Sequence, residues 1–349
     1  MTTQHPRAVL AFGPPSLAGR IFGPEAAGRL TAALDVDLDQ VLTEVASGPA
    51  RRLLASAEVL IAGWGAPEIP VELAPRLRAV LYAGGVARTC LADAGAHAAR
   101  GVVASNARTA NAVPVAEYTL ATILLANKRA RAAERELRAH RRLPEREHEP
   151  ADLGNYRRTV GIVGASQVGR RVIELLRPFD LDVVVHSPEL TPRSAAALGA
   201  RCGTLEDVAA QSDVLSLHQP LLPETVGQID ARILALLPDG ATLINTARGA
   251  VVDEPALLAE LRTGRIDAVL DVTAPEPPAL DSDLWDLPNV VLTPHIAGSM
   301  GGELRRLGDH VAAEAERFVG GLPFAHPEDL ADGAAPAADA PATEGHGHA

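Results

Sequence analysis

Between residues 159 and 292 the chain alternates short apolar runs with amphipathic stretches, and this alternation constrains the fold more than any other feature. The runs at 159–163, 182–186, 213–217, 241–245, 267–271 and 289–292 have the length of strands, whereas 167–177, 192–199, 230–236 and 254–262 carry helical periodicity. Strands that alternate with helices build a parallel sheet, because each helix returns the chain to the end where the next strand must start. The pattern also opens the chain. RAVLAFG at 7–13, AEVLIAG at 57–63 and RAVLY at 78–82 read as strands, and 24–35 and 38–54 read as helices. Two α/β domains follow, which suits 349 residues.

A long helix is predicted over 113–138, apolar first and charged later, with Pro114 suited to its opening turn. Residues 300–319 return to a helical pattern, and the Ala/Pro/Gly-rich stretch 331–349 has almost nothing to bury, so disorder is expected there. His346 and His348 in that stretch form only a loose pair. Cys90 and Cys202 lie far apart with no CxxC or His-rich spacing, so both read as buried inert thiols and no metal site is expected.

The formal net charge of −12 opposes nucleic-acid phosphates and argues against DNA or RNA as a partner. No apolar run approaches the ~20 residues that span a bilayer. The N-terminal stretch lacks the basic start and long apolar centre of a signal peptide, so the expectation is a soluble, cytoplasmic protein without a membrane partner. An anionic small substrate stays compatible, since one arginine grips a carboxylate whatever the net charge.

The segment GIVGASQVGR at 161–170 nearly matches the dinucleotide-binding pattern Gly-x-Gly-x-x-Gly, with Gly164 and Gly169 in the outer places and Ser166 in the middle one. It follows the apolar run TVGIV and opens an amphipathic helix, which is the context the pattern requires. Backbone N–H groups at such a helix start favour an anion, and the Ser166 hydroxyl could donate to a phosphate oxygen. Eighteen positions beyond Gly169, where an acidic residue would receive the ribose hydroxyls, stands Ser187. Without a carboxylate there NAD and NADP are both compatible. Arg193 nearby tilts the expectation towards NADP, while Glu189 opposes it.

INTARGAVVD at 244–253, LDVTAPEP at 270–277 and VVLTPHIAG at 290–298 each put polar residues just past an apolar strand, where open parallel sheets bind ligands. With SLHQPLLPETVG at 216–227 they resemble the D-isomer-specific 2-hydroxyacid dehydrogenase family, over about residues 105–321. The resemblance implies an α/β fold of two doubly wound parallel-sheet domains. A flavodoxin-like substrate domain would occupy 1–106, completed by 299–330, and a Rossmann dinucleotide-binding domain 107–298.

It also implies a catalytic set of Arg248, Glu276 and His295. Reducing a 2-oxo acid needs a hydride at the keto carbon, a proton at the keto oxygen and a carboxylate held still. Arg248 presents a planar fork of donors for the carboxylate, histidine ordinarily titrates near neutrality and can exchange the proton, and Glu276 would hold the imidazole and favour its protonated form. By the same resemblance Gln167 and Val168 fall at the pyrophosphate, Pro220 and Thr225 beside the adenosine, Thr246 and Ala247 near the nicotinamide, and Asp271 against its carboxamide. His218 reads as a structural residue of its loop, and Glu117 as an interdomain or helix-start residue.

In the first domain the family's Gly-x-Gly substrate loop is replaced by LYAGGVART, with Gly84 and Gly85 adjacent. Close backbone approach to a substrate carboxylate is retained, but the loop shape need not be the usual one. Tyr82 and Arg88 read as packing residues. Glyoxylate or hydroxypyruvate is the favoured substrate. The alternatives are a phosphoglycerate dehydrogenase-like enzyme without a regulatory domain, or a dinucleotide-sensing scaffold like the family's co-repressor branch. The family implies a homodimer with much of its contact along the 114–138 helix.

Overall fold

The computed structural model describes residues 5–143 and 153–331. The chain divides into two compact units, one built from the stretch up to Asn111 and from Ser299 onward, the other from Ala112–Gly298. In chain order the elements are β1 (Arg7–Ala11), α1 (Pro15–Ile21), α2 (Pro24–Ala33), β2 (Asp35–Leu42), α3 (Gly48–Ser56), β3 (Val59–Ala62), β4 (Ala79–Tyr82), α4 (Ala94–Ala99) and β5 (Val103–Asn106). Then come α5 (Arg108–Asn127), α6 (Ala130–His140), β6 (Thr159–Val163), α7 (Gln167–Leu176), β7 (Asp182–His186), α8 (Pro192–Leu198), β8 (Arg201–Cys202), α9 (Leu205–Gln211) and β9 (Val214–Leu217). The chain closes with α10 (Ala231–Leu236), β10 (Thr242–Asn245), α11 (Glu254–Thr263), β11 (Asp267–Leu270), β12 (Val290–Leu292), α12 (Leu304–Val319) and β13 (Pro327–Glu328).

The second unit's sheet runs β12-β11-β10-β9-β6-β7-β8, and all its pairings are parallel. Order therefore reverses between β6 and β9, the switch point where open α/β sheets bind dinucleotides. The first unit's sheet runs β13-β5-β4-β3-β1-β2, the flavodoxin-like order extended by one antiparallel edge strand, β13 on β5. Both sheets of the expected fold class are present.

Burial on both faces explains why the central strands read as continuous apolar runs. Val59 and Ile61 of β3 point into a core with Leu30 of α2 and Val311 of α12, while Leu60 points into another with Leu54 of α3. In the second unit Val160 and Ile162 of β6 pack with Val172 and Ile173 of α7, whereas Val163 packs with Leu215 and Leu243.

Several expectations need correction. The helix read over 38–54 is β2 followed by α3, capped by Ser47, whose side chain accepts the Ala50 N–H. DVDLDQVL alternates polar and apolar residues at an edge, a period-2 signal that is weak where little is buried. The helix read over 113–138 starts at Arg108, holds Pro114 in its interior, and breaks at Arg129, which has φ 45°. Cys90 is buried, its thiol pushed up by desolvation, but Cys202 on the edge strand β8 is only half-buried. The stretch 332–349, with His346 and His348, lies outside the described residues. No helix among the described residues is long and apolar enough to cross a membrane.

Candidate active site

The glycine loop is the turn from β6 into α7. Gly164 has φ +91°, and a Cβ there would lie 2.5 Å from the Gln219 backbone nitrogen, so only glycine fits between this turn and the chain leaving β9. A Cβ on Gly169 would meet the Gly164 carbonyl oxygen at 2.0 Å, which seats α7 directly on the turn. Ser166 has φ −62° and caps α7, its Oγ accepting the Gly169 N–H at 3.4 Å. The middle position therefore needs no glycine, and serine adds a cap. Gly169, Val172, Ile173 and Leu176 form the buried stripe of α7, which leaves Gln167 exposed and Val168 half-buried at its start.

Ser187 follows β7 and helps to line a cavity of ≈ 670 Å³ with His186, Gly203, Glu206, Gln228 and Arg232. Glu206 and Arg232 pair at 2.6 Å, and this hydrogen bond lowers the Glu206 carboxyl and raises the Arg232 guanidinium from their ordinary values. Arg193, in the first turn of α8, and Glu189 are exposed and do not line the cavity. Beside the loop, His218 Nδ1 and Gln219 Oε1 are buried polar atoms without hydrogen-bond partners. His218 is bonded through Nε2 to Ser216 Oγ at 2.9 Å, and burial pushes its imidazole down to about 3, so the ring is neutral. Thr225 is buried and ties its own turn, donating to the Pro220 carbonyl at 2.7 Å and accepting the Leu222 N–H at 2.8 Å. Pro220 is exposed.

A glycine cradle, a cavity past β7 and two unpartnered buried polar atoms fit a bound dinucleotide. Among the described residues the groups that would hold it are the N–H groups opening α7, with Ser166, Ser187 and the β9 exit loop.

His295 and Glu276 meet directly, Nδ1 to Oε1 at 2.7 Å, with both side chains open to solvent at 41% and 37%. His295 has φ 53°, a conformation uncommon outside glycine. Asp271 holds it there. Fully buried, its Oδ1 accepts the Thr293 hydroxyl at 2.6 Å and the Ile296 N–H at 2.8 Å, and its Oδ2 accepts the Ala297 N–H at 2.9 Å. A carboxylate has about four acceptor sites. Three of the Asp271 sites are thus used on the histidine loop.

Arg248 leaves the end of β10 half-buried, with Nη1 donating to the Ala247 carbonyl at 2.6 Å. Asn245 shapes this turn: it accepts the Ala247 N–H at 3.0 Å and donates to the Arg248 carbonyl at 2.8 Å. A Cβ on Gly249 would lie 2.0 Å from the Thr273 carbonyl carbon, so the arginine loop is docked on the backbone leading to Glu276. Helix α5 anchors both loops, Thr119 bonding to Thr246 at 3.2 Å and Tyr118 to Thr293 at 3.0 Å. Asn245, Gly249, Thr119, Tyr118 and Thr293 were not singled out in the sequence. A buried asparagine closing an apolar strand and a glycine next to Arg248 were the available signals.

A model of the D-isomer specific 2-hydroxyacid dehydrogenase NAD-binding domain matches residues 120–297, half of the chain. The chain belongs to the D-isomer-specific 2-hydroxyacid dehydrogenase family. A curated family relative, D-3-phosphoglycerate dehydrogenase of Mycobacterium leprae, is 36% identical over 292 residues, covering 81% of this chain and 54% of the relative. The chain spans about half the length of the curated relatives it matches. Among solved structures in the family, D-lactate dehydrogenase of Aquifex aeolicus, complexed with NAD and lactic acid, is 26% identical with TM-score 0.68, covering 90% of this chain and 96% of that one. A 2-hydroxyacid dehydrogenase of Xanthobacter autotrophicus in complex with NADPH and MES is 28% identical with TM-score 0.62, covering 78% and 84%.

In the first unit, the Gly84 and Gly85 loop has both carbonyls engaged, by the Ala107 N–H at 2.8 Å and by Arg108 Nε at 3.1 Å. Arg88 donates to the carbonyls of Asp329 and Leu330, and Thr89 bonds to the hydroxyl of buried Tyr82.

Proposed function

We propose that the chain is a nicotinamide-dependent dehydrogenase that interconverts small 2-oxo acids and D-2-hydroxy acids. The observation that carries this reading is the 2.7 Å pairing of His295 with Glu276, on a loop against which Gly249 seats the turn bearing Arg248. When bound, the nicotinamide supplies or accepts the hydride. Arg248 grips the substrate carboxylate with its fork of donors. His295 presents its second ring nitrogen to the reacting oxygen, giving up a proton in reduction and taking one in oxidation. Glu276 fixes the ring's orientation and balances the imidazolium charge. Asp271 holds the backbone of the histidine loop.

Glyoxylate and hydroxypyruvate are the favoured substrates. A second reading, 3-phosphoglycerate oxidation, is favoured by the names of the curated relatives. For the cofactor the preference is NADP: no carboxylate stands at Ser187, and of the two carboxylates in the cavity wall Asp230 caps α10 through the Ile233 N–H while Glu206 is paired with Arg232. The organisation is a cytoplasmic homodimer with contacts along α5 and α6.

The test is a panel of glyoxylate, hydroxypyruvate and phosphohydroxypyruvate assayed with NADH and with NADPH by nicotinamide absorbance. The expected result is fastest turnover of glyoxylate or hydroxypyruvate with NADPH. Preference for phosphohydroxypyruvate would establish the second reading. Cofactor binding without any turnover would sink the enzymatic reading and leave a dinucleotide-sensing scaffold.

A further inference from the structure

We propose that His310, Glu314 and His326 form a binding site for a divalent transition-metal ion of the zinc type, on residues that the dehydrogenase chemistry does not use. No metal site was expected from the spacing of the cysteines, and an i, i+4 pair on a helix with a third residue twelve positions on matches no short metal motif. Folding brings the three together, with one potential ligand atom from each, all within 4.8 Å of one another.

His310 and Glu314 share one face of α12, with His310 Nε2 4.0 Å from Glu314 Oε1 and the two side chains only 10% and 2% exposed. His310 Nε2 is buried and has no hydrogen-bond partner. A buried ring nitrogen without a partner is costly, and a metal ion would satisfy it.

The other two residues are oriented by hydrogen bonds. His326 Nδ1 lies 3.2 Å from Thr109 Oγ1, and its ring centroid is 4.6 Å from that of His310. The Glu314 oxygens accept the N–H groups of Ala325 at 3.0 Å and of His326 at 2.9 Å, and each keeps a second lone pair.

Two imidazole nitrogens and one carboxylate oxygen suit zinc, cobalt or nickel better than magnesium or calcium, and a water would take the fourth place of a tetrahedron. Ligand atoms around a tetrahedral zinc stand ~3.3 Å apart, so side-chain rotation has to draw this set in by about 1.5 Å at its widest. The bound ion would tie α12 to the segment carrying β13, the edge strand paired with β5. It would thereby stabilise the first unit.

The experiment uses the full chain, stripped with chelator and then titrated with zinc or cobalt chloride, read by calorimetry, thermal unfolding and, for cobalt, the visible spectrum. Wild type is expected to bind one ion, to melt at higher temperature with metal, and to give the visible bands of four-coordinate cobalt. His310→Gln and His326→Gln should each weaken binding at least tenfold, while His346→Ala with His348→Ala leaves it unchanged. If His310→Gln fails to fold, the wild-type cobalt spectrum and its loss in His326→Gln decide the matter. Absence of binding by wild type, binding indifferent to both His→Gln changes, or binding abolished by the His346/His348 pair would each overturn the assignment.

Discussion

Gly249 touches the carbonyl of Thr273 so closely that a Cβ would come within 2.0 Å of its carbon atom. The contact joins the turn that carries Arg248 to the strand exit that carries Glu276. Backbone faces backbone, so no side chain can swing aside to make room. Gly249→Ala is therefore expected to part the two loops and lower kcat/KM by about 10²-fold, the usual cost of a misplacement near 1 Å. Steady-state kinetics beside a melting curve would check this, and unchanged kcat/KM would show that the docking does not position Arg248.

His295 and Glu276 form one unit, and their variants should not add. His295→Asn is expected to lower turnover by about 10²–10⁴-fold, the range of a lost general acid. Glu276→Gln should cost less, since the amide still holds the ring, and the double variant should be no slower than His295→Asn alone. Additive losses in this double-mutant cycle would mean that Glu276 acts independently of the histidine.

Positions of the glycine loop should differ sharply in tolerance. Ser166→Gly exchanges one good cap for a weaker one and should cost only a few tenths of a kcal/mol, with little change in cofactor affinity. Gly164→Ala forces a side chain into φ +91° against the Gln219 backbone, and should abolish dinucleotide binding or folding. Fluorescence titration with NADPH and NADH, together with circular dichroism, reads both effects.

Acid stability should report on His218. Burial holds its folded-state value at about 3, below the 6.5 of an unperturbed histidine, so between those limits the unfolded chain binds a proton that the native one refuses. Stability then falls as pH drops through this window, at up to about 1.4 kcal/mol per pH unit. Urea unfolding between pH 7 and pH 5 measures the slope, which His218→Asn should flatten. An equal slope in wild type and variant would place the acid sensitivity elsewhere, half-buried His310 being the other histidine whose value is lowered.

Much of the architecture was legible because burial on both faces writes itself into sequence. The strands at β6, β7, β9, β10 and β11 are continuous apolar runs, and their spacing by helices already dictates a parallel sheet. Local chemistry was legible too. Strand-end motifs brought Arg248, Glu276 and His295 to notice through the family resemblance they carry, and Gly164 and Gly169 stood out through their spacing. Where little is buried the signal faded, so the edge strand β2 was read as helix and the break at Arg129 passed unseen.

What sequence alone determined was most of the elements and, through the family resemblance, the candidate site residues, since both depend on near neighbours along the chain. Tertiary structure decided what spans distant segments. The three donors from Thr293, Ile296 and Ala297 converge on Asp271, Gly249 sits on Thr273, and Thr119 of α5 reaches Thr246. The meeting of His310 and Glu314 with His326 is of the same kind. Hydrogen bonds and close contacts act over a few ångströms, and only the folded backbone brings residues so far apart in sequence within that range.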